Sequence, residues 1–123
     1  MKSVLDDVQR FHEKFNIPNG TSFPNSKRRM LRVRLLEEEF EEYCEAEDED
    51  DLVGIADALA DMVYIICGTA IEYNIPLDRV WAEVQRSNMT KTGDSRPDGK
   101  ILKGEEFEEP KIREILDEHF RVS

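Results

Sequence analysis

The sequence predicts an all-α protein: an antiparallel bundle of four to five helices that assembles as an oligomer. Three observations carry this. Apolar residues recur at spacings of three and four along most of the chain. No Val/Ile-rich alternating segment reads as a strand. One long apolar stretch, Leu52 to Ile71, is too apolar all round to be covered by the rest of so short a chain.

The elements follow in order. Ser3 to Phe15 reads as a first helix, with Val4, Val8, Phe11 and Phe15 at helical spacing and Ser3 as N-cap. Asn16 to Asn25 is a loop broken by Pro18, Asn19-Gly20 and Pro24. A long second helix runs from Ser26 to about Glu47. It is basic at its start (Lys27, Arg28, Arg29, Arg32, Arg34) and acidic afterwards, the reverse of what the helix dipole favours. Something other than helix stability selected those residues. The third helix spans about Asp50 to Tyr73 and Asn74 ends it. Pro76 opens a fourth, reaching about Met89. Thr90 to Pro110 is an ordered loop with a turn at Asp98-Gly99, and Lys111 to Phe120 is a last short helix.

At 123 residues the chain fits one domain, 1–123, and it carries 17 basic and 28 acidic residues for a net charge of −11. That charge argues against nucleic acid or an anionic membrane as partner. Cys44 and Cys67 sit in apolar helical patterns and read as reduced, packed thiols, which implies a cytoplasmic setting. The N-terminus has no signal-peptide pattern. Leu52 to Ile71 approaches membrane-spanning length, but Asp57 and Asp61 in its middle favour a buried helix of a soluble protein.

The acidic excess is local, because Glu37 to Asp51 holds 11 acids and no base. On a helical wheel Glu38, Glu39 and Glu42 continue the stripe begun by Leu31 and Leu35. Glu37, Glu41 and Glu45 form a separate, solvated face. In the third helix Asp57, Asp61, Tyr64 and Gly68 share one face. Glu38, Glu39, Glu42, Asp57 and Asp61 facing one another would repel strongly unless a divalent cation sits among them. Oxygen ligands with no His or Cys nearby suit Mg²⁺, or Mn²⁺, rather than zinc.

These residues resemble the MazG-like all-α nucleoside triphosphate pyrophosphohydrolases, a group that includes phosphoribosyl-ATP pyrophosphohydrolase and dimeric dUTPases. Leu35 to Glu42 matches the group's LxxEExxE pattern. Asp61 matches the Asp of its second-helix ExxD, with Met62-Val63-Tyr64 as the following tail. Asn88 and Lys91 resemble an Asn-x-x-Lys element, and Asp98-Gly99-Lys100 with Lys103-Gly104 resemble a loop of one branch. The pattern's Glu falls on Ala58, and Asp57, which shares a face with Asp61, stands in for it.

The resemblance implies a MazG-like fold and hydrolysis of a (d)NTP to a (d)NMP and pyrophosphate, with removal of surplus or non-canonical nucleotides as the usual role. It implies Glu39, Glu42, Asp57 and Asp61 as metal ligands and Glu38 as the group that positions or deprotonates water. Asn88 and Lys91 would hold phosphate oxygens, with Arg86, Lys100 and Lys103 as further candidates in a substrate-side loop at 91–110. Tyr64 could stack on a base. The uncovered apolar third helix predicts a homodimer or homotetramer. Two other readings compete: a regulatory module that binds nucleotide or metal without catalysis, and an acidic helical interaction protein.

Overall fold

The computed structural model describes residues 1–20 and 23–122. It contains helices α1 (Lys2–Lys14), α2 (Ser26–Asp48), α3 (Leu52–Glu72), α4 (Leu77–Asn88) and α5 (Ile112–Val122). Among the described residues there is no strand, only an isolated bridge between Ser95 and Ile101. The fold is all-α, as expected. Two compact units divide it, residues 1–75 and 76–123.

In the first unit all three helices end by one device. Asn16, Asp50 and Asn74 follow α1, α2 and α3 with φ of 54°, 52° and 56°. The next residue then donates its N–H back five positions: Ile17 to His12 O, Asp51 to Ala46 O, Ile75 to Ala70 O. This is the Schellman closure, with Asn or Asp taking the left-handed position that Gly more often fills. The starts differ. Asn25 Oδ1 accepts from Arg28 N at 2.9 Å, and Asp51 Oδ1 accepts from Gly54 N at 3.0 Å. Ser3 is not a cap: Leu5 N already reaches Met1 O at 3.1 Å, so α1 begins one residue earlier with no side-chain cap.

The short connection after Asp48 folds α3 back antiparallel to α2. Their contact is layered. Arg32 lies against Gly68, where a Cβ would stand 2.5 Å from Arg32 Nη2. Glu39 meets Asp61. Ala46 lies against Gly54, 3.1 Å from where a Cβ would be. Seven residues separate successive layers on each helix, a 3.5-residue repeat. This repeat corrects the wheel drawn from a straight helix. The inward face of α2 follows Arg32, Leu35, Glu39 and Ala46, and Leu31 lies outside it with 37% exposure.

Few apolar residues are fully buried, and most of them are small: Val8, Ala46, Ala58, Cys67 and Ala70. Polar groups do much of the joining. His12, Arg32 and Glu72 are all buried. The loop after α1 is tied to the end of α3 by Gly20 N–H, which donates to Ile71 O, and a Cβ at Gly20 would overlap the Glu72 carbonyl. The thiols differ from expectation, since Cys67 is buried but Cys44 is exposed on the side of α2 that nothing covers. The reading of α3 as a buried helix also needs correcting. It is long and apolar enough to cross a membrane by length and composition, yet only 17% of its most apolar stretch is buried. Helices α1 and α2 pack against one side of α3 and leave Leu52, Val53, Leu59, Val63 and Ile66 exposed.

In the second unit the segment after α4 is an ordered loop, as expected. Arg96 to Lys100 turns as Gly99 N donates to Arg96 O and Arg96 N donates to Lys100 O, with Gly99 at φ 92°. The return leg is fixed to α4. Buried Ser87 donates to Glu108 O at 2.7 Å, and Glu108 N donates to Thr90 Oγ1 at 2.8 Å. Glu83 Oε2 accepts from Lys111 N at 2.6 Å, just before α5.

Candidate metal centre

The middle layer of the α2–α3 pair is acidic. Carboxylate oxygens of Glu39, Glu42 and Asp61 lie within 4.8 Å of one another. Glu39 is the innermost of the three helix-α2 candidates, half-buried where Glu38 and Glu42 are exposed. Its Oε2 is fully buried and has no hydrogen-bond partner. A buried carboxylate oxygen without a donor is costly. Partial burial first, then proton sharing with Glu42 and the negative charges of Glu42, Asp61 and Asp57, push the Glu39 carboxyl up to about 7. An orphaned acceptor, three converging carboxylates and a field that a cation would reverse are what a hard divalent ion requires. The residues fit such an ion, with Glu39, Glu42 and Asp61 to hold it.

The arginines of α2 do not compensate this cluster. Arg28 binds Glu72 with both ends of its fork, Nε to Oε1 at 3.0 Å and Nη2 to Oε2 at 2.9 Å. Arg32 Nη1 lies 3.1 Å from Glu72 Oε2, and its Nε and Nη2 donate to Thr69 Oγ1 and Ile65 O. Two bases of the inverted charge order of α2, Arg28 and Arg32, have their reason here, because they serve one buried acid on α3.

The remaining sequence candidates fall as follows. Asp57 is exposed, close enough to act on Glu39 but outside the set of three. Glu38 is exposed one position before Glu39, also outside that set. Tyr64 is 40% exposed and meets the Phe11 ring edge-on at 5.4 Å. Asn88, Lys91, Arg86, Lys100 and Lys103 all belong to the second unit. Arg86 is engaged by Glu83 through Nε and Nη2 at 2.9 and 2.8 Å and by Glu108 through Nη1 at 3.0 Å. Those hydrogen bonds hold Glu83 down at about 2 and raise the arginine. Lys103 pairs with Glu109 and lies over the Phe107 ring. Asn88 is exposed at the end of α4.

Sequence reasoning missed Glu72. It lies eleven residues after Asp61 and four after Gly68, on the very face that carries Asp57, Asp61 and Tyr64. Extending that face by one turn, against Arg28 and Arg32 eleven and seven residues before Glu39, would have found the pair.

The model of the phosphoribosyl-ATP pyrophosphohydrolase family matches residues 8–88. The chain belongs to this family. The match runs from within α1 to the end of α4 and so takes in the whole acidic layer. Membership gives the reaction class in general terms, a pyrophosphohydrolase, and a nucleotide as the kind of substrate that fits it. No curated protein matches the chain.

The raised Glu39 carboxyl gives this pyrophosphohydrolase a pH signature. Its pKa in the folded state lies above the ordinary value of 4.5, so the unfolded chain ionises first. Below about 4.5 both states are protonated and ionisation costs folding nothing. As pH rises through 7 the folded state must carry the charge against its neighbours, so the cation-free protein loses stability over that window. Glu39→Gln should remove this component. Melting curves from pH 5 to 8 for both proteins, without divalent ions, check it, and parallel curves would contradict the shift.

Proposed function

We propose that the protein is a cytoplasmic, Mg²⁺-dependent nucleoside triphosphate pyrophosphohydrolase that converts a (d)NTP and water to a (d)NMP and pyrophosphate. The observation that carries this reading is the acidic layer, above all the orphaned Glu39 Oε2 facing Glu42 and Asp61. A polyphosphate does not approach such a field unless divalent charge reverses it. A bound Mg²⁺ supplies Lewis-acid polarisation and a more acidic water. The chain supplies the rest. Glu39, Glu42 and Asp61 hold the ion, Asp57 adds charge at its edge, and exposed Glu38 accepts the proton of the attacking water. Lys91 and Lys100, whose ammonium groups have no partner among the described residues, suit phosphate oxygens. Surplus or non-canonical nucleotides are the proposed substrates.

The test is pyrophosphate release from a panel of nucleoside triphosphates, deoxynucleotides and phosphoribosyl-ATP, with Mg²⁺ and with EDTA. Release from a triphosphate that EDTA abolishes supports the reading. Cation-dependent stabilisation with no release from any nucleotide would favour the non-catalytic binding module.

We also propose a homodimer or homotetramer. Val33, Leu36, Phe40, Met62 and Ile66 line an apolar hollow of about 470 Å³ on the outer side of α2 and α3. Val33, Phe40 and Ile66 are 67%, 53% and 44% exposed, a patch of the kind that oligomers cover. Ile66→Glu should convert the oligomer to monomer in light scattering at micromolar concentration. A wild-type chain already monomeric there would refute the assembly.

A further inference from the structure

We propose that Arg32 is a positioning residue: by gripping Glu72, Thr69 and the Ile65 carbonyl it sets the register at which Glu39 and Glu42 meet Asp61. The inference rests on the reading of that acidic layer as a cation site. Contacts such as Ala46 against Gly54 are small and apolar, and apolar contact has no direction along the helix axis. Arg32 is different. Its guanidinium is buried and planar, and it reaches three acceptors spread over two turns of α3: Ile65 O at 2.8 Å, Thr69 Oγ1 at 3.0 Å and Glu72 Oε2 at 3.1 Å.

A slip of α3 by one turn, about 5.4 Å, would separate every one of these pairs. Each buried donor or acceptor left unmatched keeps its desolvation cost with no hydrogen bond to offset it. The observed register gives the fork all three acceptors at once. Gly68 makes the approach possible, since a side chain there would occupy the place of Arg32 Nη2.

The acidic layer lies midway between two such constraints. Seven residues beyond it on α2, the Ala46–Gly54 layer is fixed by the short turn and the Asp51 cap. Seven residues before it, Arg32 fixes the other end. With both ends held, Glu39 and Asp61 have one mutual placement, which a hard cation with short oxygen contacts requires.

The decisive variant is Arg32→Lys in the full chain, with Mn²⁺ alone as probe. Lysine keeps the charge, so the field at the acidic layer is unchanged, but it loses the three-way fork. Mn²⁺ affinity, read by electron paramagnetic resonance well below the melting temperature, should fall about tenfold, as outer-shell changes do. Helicity by circular dichroism should remain that of the wild type. Thr69→Val removes one acceptor of the three and should weaken Mn²⁺ binding by a smaller factor than Arg32→Lys, about threefold, below the usual outer-shell range because two acceptors remain. It decides the matter if Arg32→Lys does not fold.

A purely structural role would lower the melting temperature and leave the affinity of the folded protein untouched. Folded variants with wild-type affinity overturn the assignment, as does a wild type that binds no Mn²⁺. Weakened Mn²⁺ binding in a protein that hydrolyses no nucleotide would leave the register assignment standing and sink the enzyme reading instead.

Discussion

Glu39→Gln should abolish pyrophosphate release while leaving the fold intact, and it should make the cation-free protein more stable. The substitution keeps volume and shape. It removes the charge that the layer needs to hold a divalent ion and, among the described residues, the only carboxylate with a buried, unpartnered oxygen. A metal contributes several kcal/mol to the transition state in reactions of this class, so the loss of kcat/KM should be on the order of a thousandfold. The stability change has the opposite sign because Glu39 is crowded by Glu42, Asp61 and Asp57. Neutralising it relieves that repulsion above pH 7. Wild-type protein should also gain stability on adding Mg²⁺, by about 2.7 kcal/mol at a hundredfold excess over Kd, and the variant should not. Activity within a few-fold of wild type would remove Glu39 from the centre of the mechanism.

Glu72→Ala should be among the most destabilising single changes in the first unit outside the acidic layer. Glu72 is 1% exposed and receives both Arg28 and Arg32. Truncating it leaves a buried Arg32 with its counter-charge gone. Breaking one side of a buried pair costs about 3–5 kcal/mol. Against a total of about 5–15 kcal/mol this should move the urea midpoint by about a fifth or more. Replacing both partners, Arg32→Met with Glu72→Met, should recover a large part of that loss, because no charge is then buried alone. A Glu72→Ala midpoint within experimental error of wild type would show that water or another donor satisfies the arginines.

The helices were legible in the sequence because their signals are local. Asn16 and Asn74 mark helix ends by the left-handed backbone that Asn tolerates, and Pro-Asp-Gly marks the turn at residues 97–99. The acidic layer was legible in outline, since two carboxylate faces of one sign on neighbouring helices demand a cation. Its membership was less so. A straight-helix wheel gives Glu38, Glu39 and Glu42 similar standing, whereas packing at a 3.5-residue repeat turns Glu39 inward and leaves Glu38 outside.

Glu72 was illegible for a different reason. One acid at a helix end looks solvated until a helix 44 residues away in sequence brings Arg28 to it. Cys44 was misjudged likewise, because an apolar neighbourhood in sequence does not show which side a partner helix will cover.

The tie between Gly20 and the end of α3 bears on how a map of tolerated substitutions would look. Position 20 has no room for even a methyl group against the Glu72 carbonyl. In a saturation survey it would therefore rank with Glu39 and Asp61 among the positions that accept nothing else, although it holds no ion and touches no substrate. The two kinds of intolerance separate by what survives. Variants at Glu39 and Asp61 would accumulate as soluble, inactive protein, and variants at Gly20 would be lost from the soluble pool. Reading abundance and activity side by side would divide the residues that build this molecule from the few that work in it.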